Sequence, residues 1–485
     1  MRSIVLFLII FTSCRSSSHI QFKQIAQIDL GDTGAAEITA YDTSTRKLFV
    51  VNNGSINKID VLSFYDLPNI ILLGSIDISR FGGFVNSVAV SNGLLAAAIE
   101  SRIKQDDGSV VIFNTKDHQL IKSITVGALP DMVTFTPDGN YILSANEGEP
   151  SPSYDLDPEG SVSIISTQEN FTVHHADFSM VNAQKDMLIS KGLRVSGKNQ
   201  QLKKDIEPEY IAVSKDSKFA WITLQENNAI AKLDINAKKI TNIFPLGFKD
   251  HSDPLNAIDV SDVDGKINFQ PYPVKGMFMP DAIGYYEFKG QPFIITANEG
   301  DTREYPSFTE NKRVNQVTLD LAYFPDSSML ADHKLGRLII DTIMGDKDKD
   351  GLMEELYAFG GRSFTIWNGI TGQRVWDSHN QLDQYTYQAG YYDDSRSDDK
   401  SIEPEGVAIG KINKKTYAFI GMDRADCVAI YDITDPYLPR FKQLIPVGDG
   451  PEGILFISKE NSPIKKPLLV VGSENDGLIK VFSIN

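Results

Sequence analysis

The chain has 485 residues, 64 acidic and 47 basic side chains and a formal net charge of −17. A surface this acidic repels phosphate backbones and anionic lipid, which excludes nucleic acid and bare membrane surfaces as partners. It suits a cation-rich setting outside the cytoplasm, and two cysteines give no disulfide framework to rely on there.

The first elements concern export. Met1-Arg2 is a minimal basic start, and residues 4–11 form a short apolar run. Such a run is a signal-peptide core, too short to span a bilayer. Phe11-Thr12-Ser13-Cys14 resembles a bacterial lipobox. Residues 1–14 then read as a lipoprotein-type signal peptide with Cys14 lipidated, and residues 15–20 as a polar tether. The alternative is an ordinary secretory signal cut nearby, with Cys14 lost. No second long apolar stretch exists, so no transmembrane helix is expected.

Residues 21–485 read as one unit, because a short phrase recurs along them. A Pro-acid pair opens a β-like run, and a second run ends in Asn, Gln, Met or Ser plus an acid. Pro130-Asp131 leads to Asn146-Glu147, Pro208-Glu209 to Gln225-Glu226, and Pro280-Asp281 to Asn298-Glu299. Pro404-Glu405 leads to Met422-Asp423, and Pro451-Glu452 to Ser473-Glu474. Weaker copies at Ala36-Glu37 to Asn52-Asn53 and Asn86-Ser87 to Ile99-Glu100 bring the total to seven. Four-stranded repeats of roughly 40–50 residues point to propeller blades. The expected fold is all-β, a seven-bladed β-propeller with loop and helix insertions. Residues 21–30 are expected to give the last copy its fourth strand and close the ring.

A hairpin starts and finishes at one end, so both acids of each copy should lie side by side. The expected ring is Asp131, Glu147, Glu209, Glu226, Asp281, Glu299, Glu405, Asp423, Glu452 and Glu474. Carboxylates so gathered stay ionised only beside cations, Arg partners or water. The ring is therefore read as a metal or ligand site; the alternative is that these acids merely cap turns.

Three insertions interrupt the rhythm. Residues 167–204 carry a helical pattern at 180–191 and could cover a face. Residues 381–400 are rich in Tyr and Asp and wall a binding surface or form a loose loop. Residues 301–356 split the fifth copy. Within them Asp346, Asp348 and Asp350 alternate before Gly351, with the Leu352 carbonyl and Glu354 to follow. Hard Ca²⁺ takes six to eight oxygens, and alternate acids before a Gly turn wrap oxygens around one point. Tyr357 stands where an EF-hand needs Glu, so the loop is a shorter kind. The alternative is a solvated turn balanced by Lys347 and Lys349. Asp262-Val263-Asp264-Gly265 is a weaker relative.

Arg303, Arg362 and Arg424 fall near acidic ends of repeats. They either neutralise carboxylates or offer a planar fork to an anionic ligand. Cys427, in an apolar strand, reads as a buried small hydrophobe. There is no phosphate-binding glycine loop and no paired-histidine zinc motif.

Residues 145–150 (AlaAsnGluGlyGluPro), Leu224-Gln225-Glu226-Asn227, Ala297-Asn298-Glu299-Gly300-Asp301, Gly360-Gly361-Arg362-Ser363-Phe364, Arg396-Ser397-Asp398-Asp399-Lys400 and Glu403-Pro404-Glu405-Gly406 together resemble the choice-of-anchor I family. The resemblance runs from about residue 21 to 485. It implies an extracellular or surface β-propeller whose members use different anchors, here the Cys14 lipid. Some members are labelled alkaline phosphatase-like, but the resemblance carries over no catalytic residue. The expectation is an exported, lipid-anchored, monomeric, calcium-binding β-propeller. It acts as a surface or periplasmic binding protein with an unidentified ligand or protein partner. The alternative is a calcium-dependent phosphoesterase with its site on the acidic face, which leaves enzyme status open. A mineral-associated structural role is a third reading, from analogy to animal members of the family.

Overall fold

In a computed structural model, residues 20–31, 33–198 and 201–485 are described. The expected signal peptide, its Cys14 and all but the last residue of the tether lie outside the described residues.

The described chain is all-β. Thr39–Asp42, Lys47–Asn52, Lys58–Asp66 and Asn69–Asp77 form the first of seven four-stranded antiparallel sheets. Val85–Ser91 to Leu120–Ala128, Pro130–Phe135 to Val173–Ala176, and Pro208–Val213 to Lys239–Pro245 make the next three as simple meanders. The fifth combines Ile283–Phe288 and Gln291–Asn298 with Ser363–Asn368 and Arg374–Asp377, across a long insertion. Pro404–Ile412 to Arg440–Pro446 is the sixth. The seventh joins Pro451–Ile457, Leu468–Ser473 and Leu478–Ile484 to the N-terminal strand Phe22–Asp29, which pairs antiparallel with Leu478–Ile484.

Second strands such as LLAAAI (Leu94–Ile99) and LLVVGS (Leu468–Ser473) are apolar almost throughout and buried almost throughout. A strand covered on both faces has no need to alternate. Each buried Val, Leu or Ile contributes about 1.5–3 kcal/mol of favourable transfer. Aromatic side chains fill the gaps between sheets. Trp221 of the fourth sheet stacks on Tyr285 of the fifth at 5.3 Å, and its indole N–H donates to the Gly369 carbonyl at 2.9 Å. First strands meet in order, each against the next, and Pro451–Ile457 of the seventh sheet lies against Thr39–Asp42 of the first.

Register aims the acids. Pro130 pairs with Asn146, Pro208 with Leu224, Pro404 with Met422 and Pro451 with Ser473. Each pairing breaks register immediately after the proline, at the opening acid. Such a bulge leaves a residue out of the ladder and turns its side chain.

The insertions differ from expectation in detail. The 180–191 stretch is a 3-10 turn, Ser179–Gln184, running into a short α-helix, Lys185–Ser190. Phe248–Asp250, Lys275–Met277, Asn311–Arg313, Ile339–Asp341 and Tyr357–Ala358 make a separate five-stranded sheet. It has its own core, including Val260, Val314, Leu338 and Ile340. Strands of two or three residues leave no readable period, so the sequence did not announce this sheet. Residues 381–400 hold an α-helix, Gln381–Ala389, and a 3-10 turn, Asp394–Arg396. Among the described residues no helix is long and apolar enough to cross a membrane.

Candidate functional site

The ends of the first strands surround an acidic well of about 360 Å³. Asp131, Glu147, Glu209, Asp281, Glu299, Glu405 and Glu452 line it. It shares Asn86, Asp131, Glu147 and Glu452 with a second cavity of about 590 Å³, which Glu37 and Glu474 also line. Glu226 gathers with Glu147 and Glu209, and Asp281 gathers with Glu299 and Glu405. In each trio one oxygen per residue lies within 4.8 Å of the others. Asp423 is turned to Arg424, whose Nε lies 3.0 Å from its Oδ2.

Burial first, and like charge second, disfavours ionisation here. Glu147, Glu209, Asp281, Glu405 and Glu452 are held well above the usual carboxylate range by burial and by neighbouring carboxylates. Burial and Glu149 push Asp131 up to about 6. Glu226 rises to about 7 through burial, against the opposing charge of Arg303. Asp423 rises to about 7 through burial, against Arg424. Glu37 reaches about 8 through burial and its neighbour Glu474, which burial also raises. A well of this kind binds either protons or cations.

Two of the three candidate anion-binding arginines are elsewhere. Arg303 is 3% exposed, and its guanidinium is committed to Glu207 at 2.8 Å, Asp205 at 3.5 Å and the Ser196 hydroxyl. Arg362 is 1% exposed and donates to the backbone carbonyls of Asp259 (2.8 Å), Ser397 (3.0 Å) and Asp399 (2.6 Å), stapling insertions to the sheet. Neither fork is open to a ligand, because packing of the insertions claims it. Arg424 does stand on the well, half-exposed, between Asp423 and Glu403.

The well's other cation is Lys400, which the motif reading did not single out as functional. Its Nζ lies 3.1 Å from Glu299, 3.4 Å from Asp301 and 3.4 Å from Glu403. Burial opposes its charge, yet Glu299, Glu403 and Asp301 hold the ammonium well above its ordinary value. Arg396, paired with Asp399 at 2.8 Å and Glu403 at 2.5 Å, fixes the loop that carries Lys400. The available signal was the motif at residues 396–400 itself. Glu37 was also missed, since its copy lacks the opening proline.

The acidic loop at residues 346–354 has local order. Asp346 accepts from the backbone N–H of Asp350 (3.1 Å) and Gly351 (2.9 Å), and Asp350 from that of Leu352 (2.9 Å). Asp346, Asp348, Asp350 and Glu354 each offer an oxygen within 4.8 Å of the others. Gly351 takes φ +92°, which only glycine adopts without strain. Glu354 is 7% exposed, and its Oε1 has no hydrogen-bond partner. Lys347 turns away from the ring of oxygens to Glu355 at 2.5 Å. The weaker candidate at Asp262 is not a loop of this type, because both Asp262 oxygens are taken by the Arg337 fork at 2.8 and 2.9 Å. Cys427 is fully buried, as expected.

The family profile of the choice-of-anchor I domain matches residues 37–436. Gigasin-3a of Magallana gigas is 26% identical over 191 residues, covering 32% of this chain and 67% of that protein. The mesenchyme-specific cell surface glycoprotein of Strongylocentrotus purpuratus is 24% identical over 273 residues, covering 47% of this chain. The matched part spans 35% of that glycoprotein's length. Among solved structures, a chain of Kuenenia stuttgartiensis hydrazine synthase superposes with TM-score 0.52 at 14% identity, covering 93% of this chain and 96% of its own. That likeness concerns fold alone. The β-propeller domain of Myceliophteria thermophila Cps50 (Swd1) gives TM-score 0.49 at 8% identity, covering 95% of this chain and 100% of its own.

Proposed function

The chain belongs to the choice-of-anchor I family, and from that premise we propose an exported or cell-surface β-propeller that binds its partner, with calcium, at the acidic well. The seven four-stranded sheets are its blades, and Phe22–Asp29 closes the ring. The loop at Asp346, Asp348, Asp350 and Glu354, with the Leu352 carbonyl, is a structural calcium site. The anchor is a lipid on Cys14. The surface assignment is supported by the family and by the cell-surface relative.

One observation carries the binding role. Four sheets each deliver a pair of ring acids to the same end of the molecule, the sixth adds Glu405 and the first adds Glu37. Turn capping gives no reason for so many carboxylates to converge. The phosphoesterase reading asks for an arginine free on the well; Arg303 and Arg362 are committed to structural contacts, and Arg424, which does stand there, is paired with Asp423 and Glu403. Binding is therefore the better-supported function.

Phosphomonoester and phosphodiester hydrolysis, assayed with calcium and with EDTA, tests this choice. No turnover is expected in either condition, while calcium raises the melting temperature. Calcium-dependent turnover that disappears in an Asp281→Asn, Glu299→Gln variant would make the protein an enzyme. Anchoring has its own test. Cys14→Ser is expected to move the protein from the membrane fraction to the soluble one, and unchanged fractionation would reject the lipid.

A further inference from the structure

The two carboxylate trios of the well differ in what the protein itself supplies. Asp281, Glu299 and Glu405 have an ammonium at hand, with Lys400 Nζ 3.1 Å from Glu299. Glu147, Glu209 and Glu226 have none. Among the described residues, no Lys or Arg lies within ion-pair distance of any of the three. The nearest opposite charges are spent on neighbours: Arg303 on Glu207 and Asp205, and Lys104 on Glu149.

This trio is buried nonetheless. Glu147 is 9%, Glu209 7% and Glu226 5% exposed. The Oε2 atoms of Glu209 and Glu226 have no hydrogen-bond partner at all. Elsewhere several deeply buried acids are ion-paired, though Asp383 is not. Glu310 and Asp341 share Arg194 at 2.9 and 2.7 Å, and Asp377 has Lys249 at 3.0 Å. A buried carboxylate without a partner costs several kcal/mol, so a missing counter-charge here is a structural demand.

We infer that Glu147, Glu209 and Glu226 form a site for a divalent cation of calcium's class, separate from the loop at residues 346–354 and opening into the well. This rests on the reading of the well as the binding face. Oxygens sharing one ion at about 2.4 Å stand no more than about 4.8 Å apart, and the three carboxylates meet that limit. All-carboxylate donors select a hard cation. Three protein oxygens leave roughly half of the six to eight calcium positions open. Glu147 and Glu209 also line the cavity, so those positions face it. An anionic group of a partner, or water, fills them. The trio spans two sheets: Glu147 follows the second strand of the third sheet, while Glu209 and Glu226 belong to the fourth. The ion thus ties neighbouring sheets together at the binding face.

Equilibrium dialysis of the full chain against calcium alone tests the site. The wild type, Glu209→Gln with Glu226→Gln, and Asp348→Asn with Asp350→Asn are compared. The expected result is loss of one bound equivalent in each variant. Unchanged stoichiometry in the Glu209→Gln, Glu226→Gln protein overturns the inference. Folding is checked in EDTA, where the same variant is expected to melt above the wild type, because two unpaired buried charges are gone. A lower melting temperature with calcium stoichiometry intact would assign the two glutamates a structural role and overturn the site. Hydrolysis and stoichiometry separate the two proposals. Turnover with one equivalent lost keeps the cation site and removes the binding reading, and no turnover with unchanged stoichiometry does the reverse.

Discussion

In EDTA the protein is expected to lose stability steadily as pH rises from about 5 to about 8, and excess calcium is expected to restore it. The sign follows from the well. A carboxyl whose folded pKa exceeds its unfolded value holds its proton more tightly when folded, so the folded state is favoured while the proton stays on. That advantage is lost as pH climbs from the ordinary carboxylate range through the folded values. Asp131 at about 6, Glu226 and Asp423 at about 7, and Glu37 at about 8 mark the window. Glu147, Glu209, Asp281, Glu405 and Glu452 shift in the same direction. Four histidines oppose them: burial and Lys249 depress His251 to about 3, and burial first of all lowers His118, His175 and His379, so their cost grows on acidification. Four groups do not outweigh nine. At about 1.4 kcal/mol per pKa unit, even a part of these shifts amounts to several kcal/mol. At roughly 2 °C per kcal/mol in a large domain, the melting temperature should fall by on the order of 5–10 °C. Calcium replaces the protons and releases them, so the curve with calcium should be flat or rising. Thermal melts at about pH 5.5, 7 and 8, with EDTA and with calcium, decide it. A flat EDTA series would remove the electrostatic account of the well.

Starting the chain at residue 32 instead of residue 20 is expected to cost far more than trimming a terminus usually does. Phe22–Asp29 pairs with Leu478–Ile484 from Phe22 against Ile484 to Asp29 against Leu478. Ile25, Ala26 and Ile28 pack on Ile479, Val481 and Leu468, and Phe22 meets the Phe419 ring edge-on at 6.0 Å. Without the strand, a β-ladder edge and an apolar face open to water. At about 1 kcal/mol per ladder bond and about 1 kcal/mol or more per half-buried apolar side chain, the loss is roughly 5–10 kcal/mol. That rivals the whole stability of many domains. Expected outcomes are aggregation, or a melting temperature lowered by on the order of 10 °C or more. A synthetic peptide of residues 20–31 should recover part of the loss in trans. A truncated protein that melts like the full one would show that the seventh sheet does not depend on its fourth strand.

The ring was legible because its cause is local. A proline opens the strand, a bulge follows, and the next side chain is turned out of the ladder, as at Pro208-Glu209 and Pro404-Glu405. The loop at residues 346–354 was legible for the same reason, since its spacing alone clusters the oxygens. What the sequence could not show was which of two acids flanking one proline would be ion-paired. Glu207 and Glu209 flank Pro208, yet Glu207 goes to Arg303 and Glu209 lines the well without an ion pair. Glu403 and Glu405 flank Pro404 and both line the well, but Glu403 is ion-paired to Arg396 and Lys400 while Glu405 is not. Those fates depend on where insertions far along the chain place their basic residues. Of the two readings open for Arg303 and Arg362, carboxylate partner or anion fork, Arg303 takes the first with Glu207 and Asp205, while Arg362 goes to backbone carbonyls instead. Glu37 escaped because no proline precedes it.

The pairing of Phe22–Asp29 with Leu478–Ile484 also sets a timetable. Phe22–Asp29 has no partner until Leu478–Ile484 has left the ribosome, and the two sit more than 400 residues apart in the chain. Earlier sheets, apart from the fifth with its insertion, are simple meanders whose partners emerge within seconds at about 5–20 residues per second. The seventh sheet cannot complete itself in that local way, because its closure is the longest-range strand pairing among the described residues and the slowest to find. Until then Phe22–Asp29 stays unpaired. A chain threaded through a translocation channel before it folds gains from such a delay: of the described strands, Phe22–Asp29 is the one that commits last.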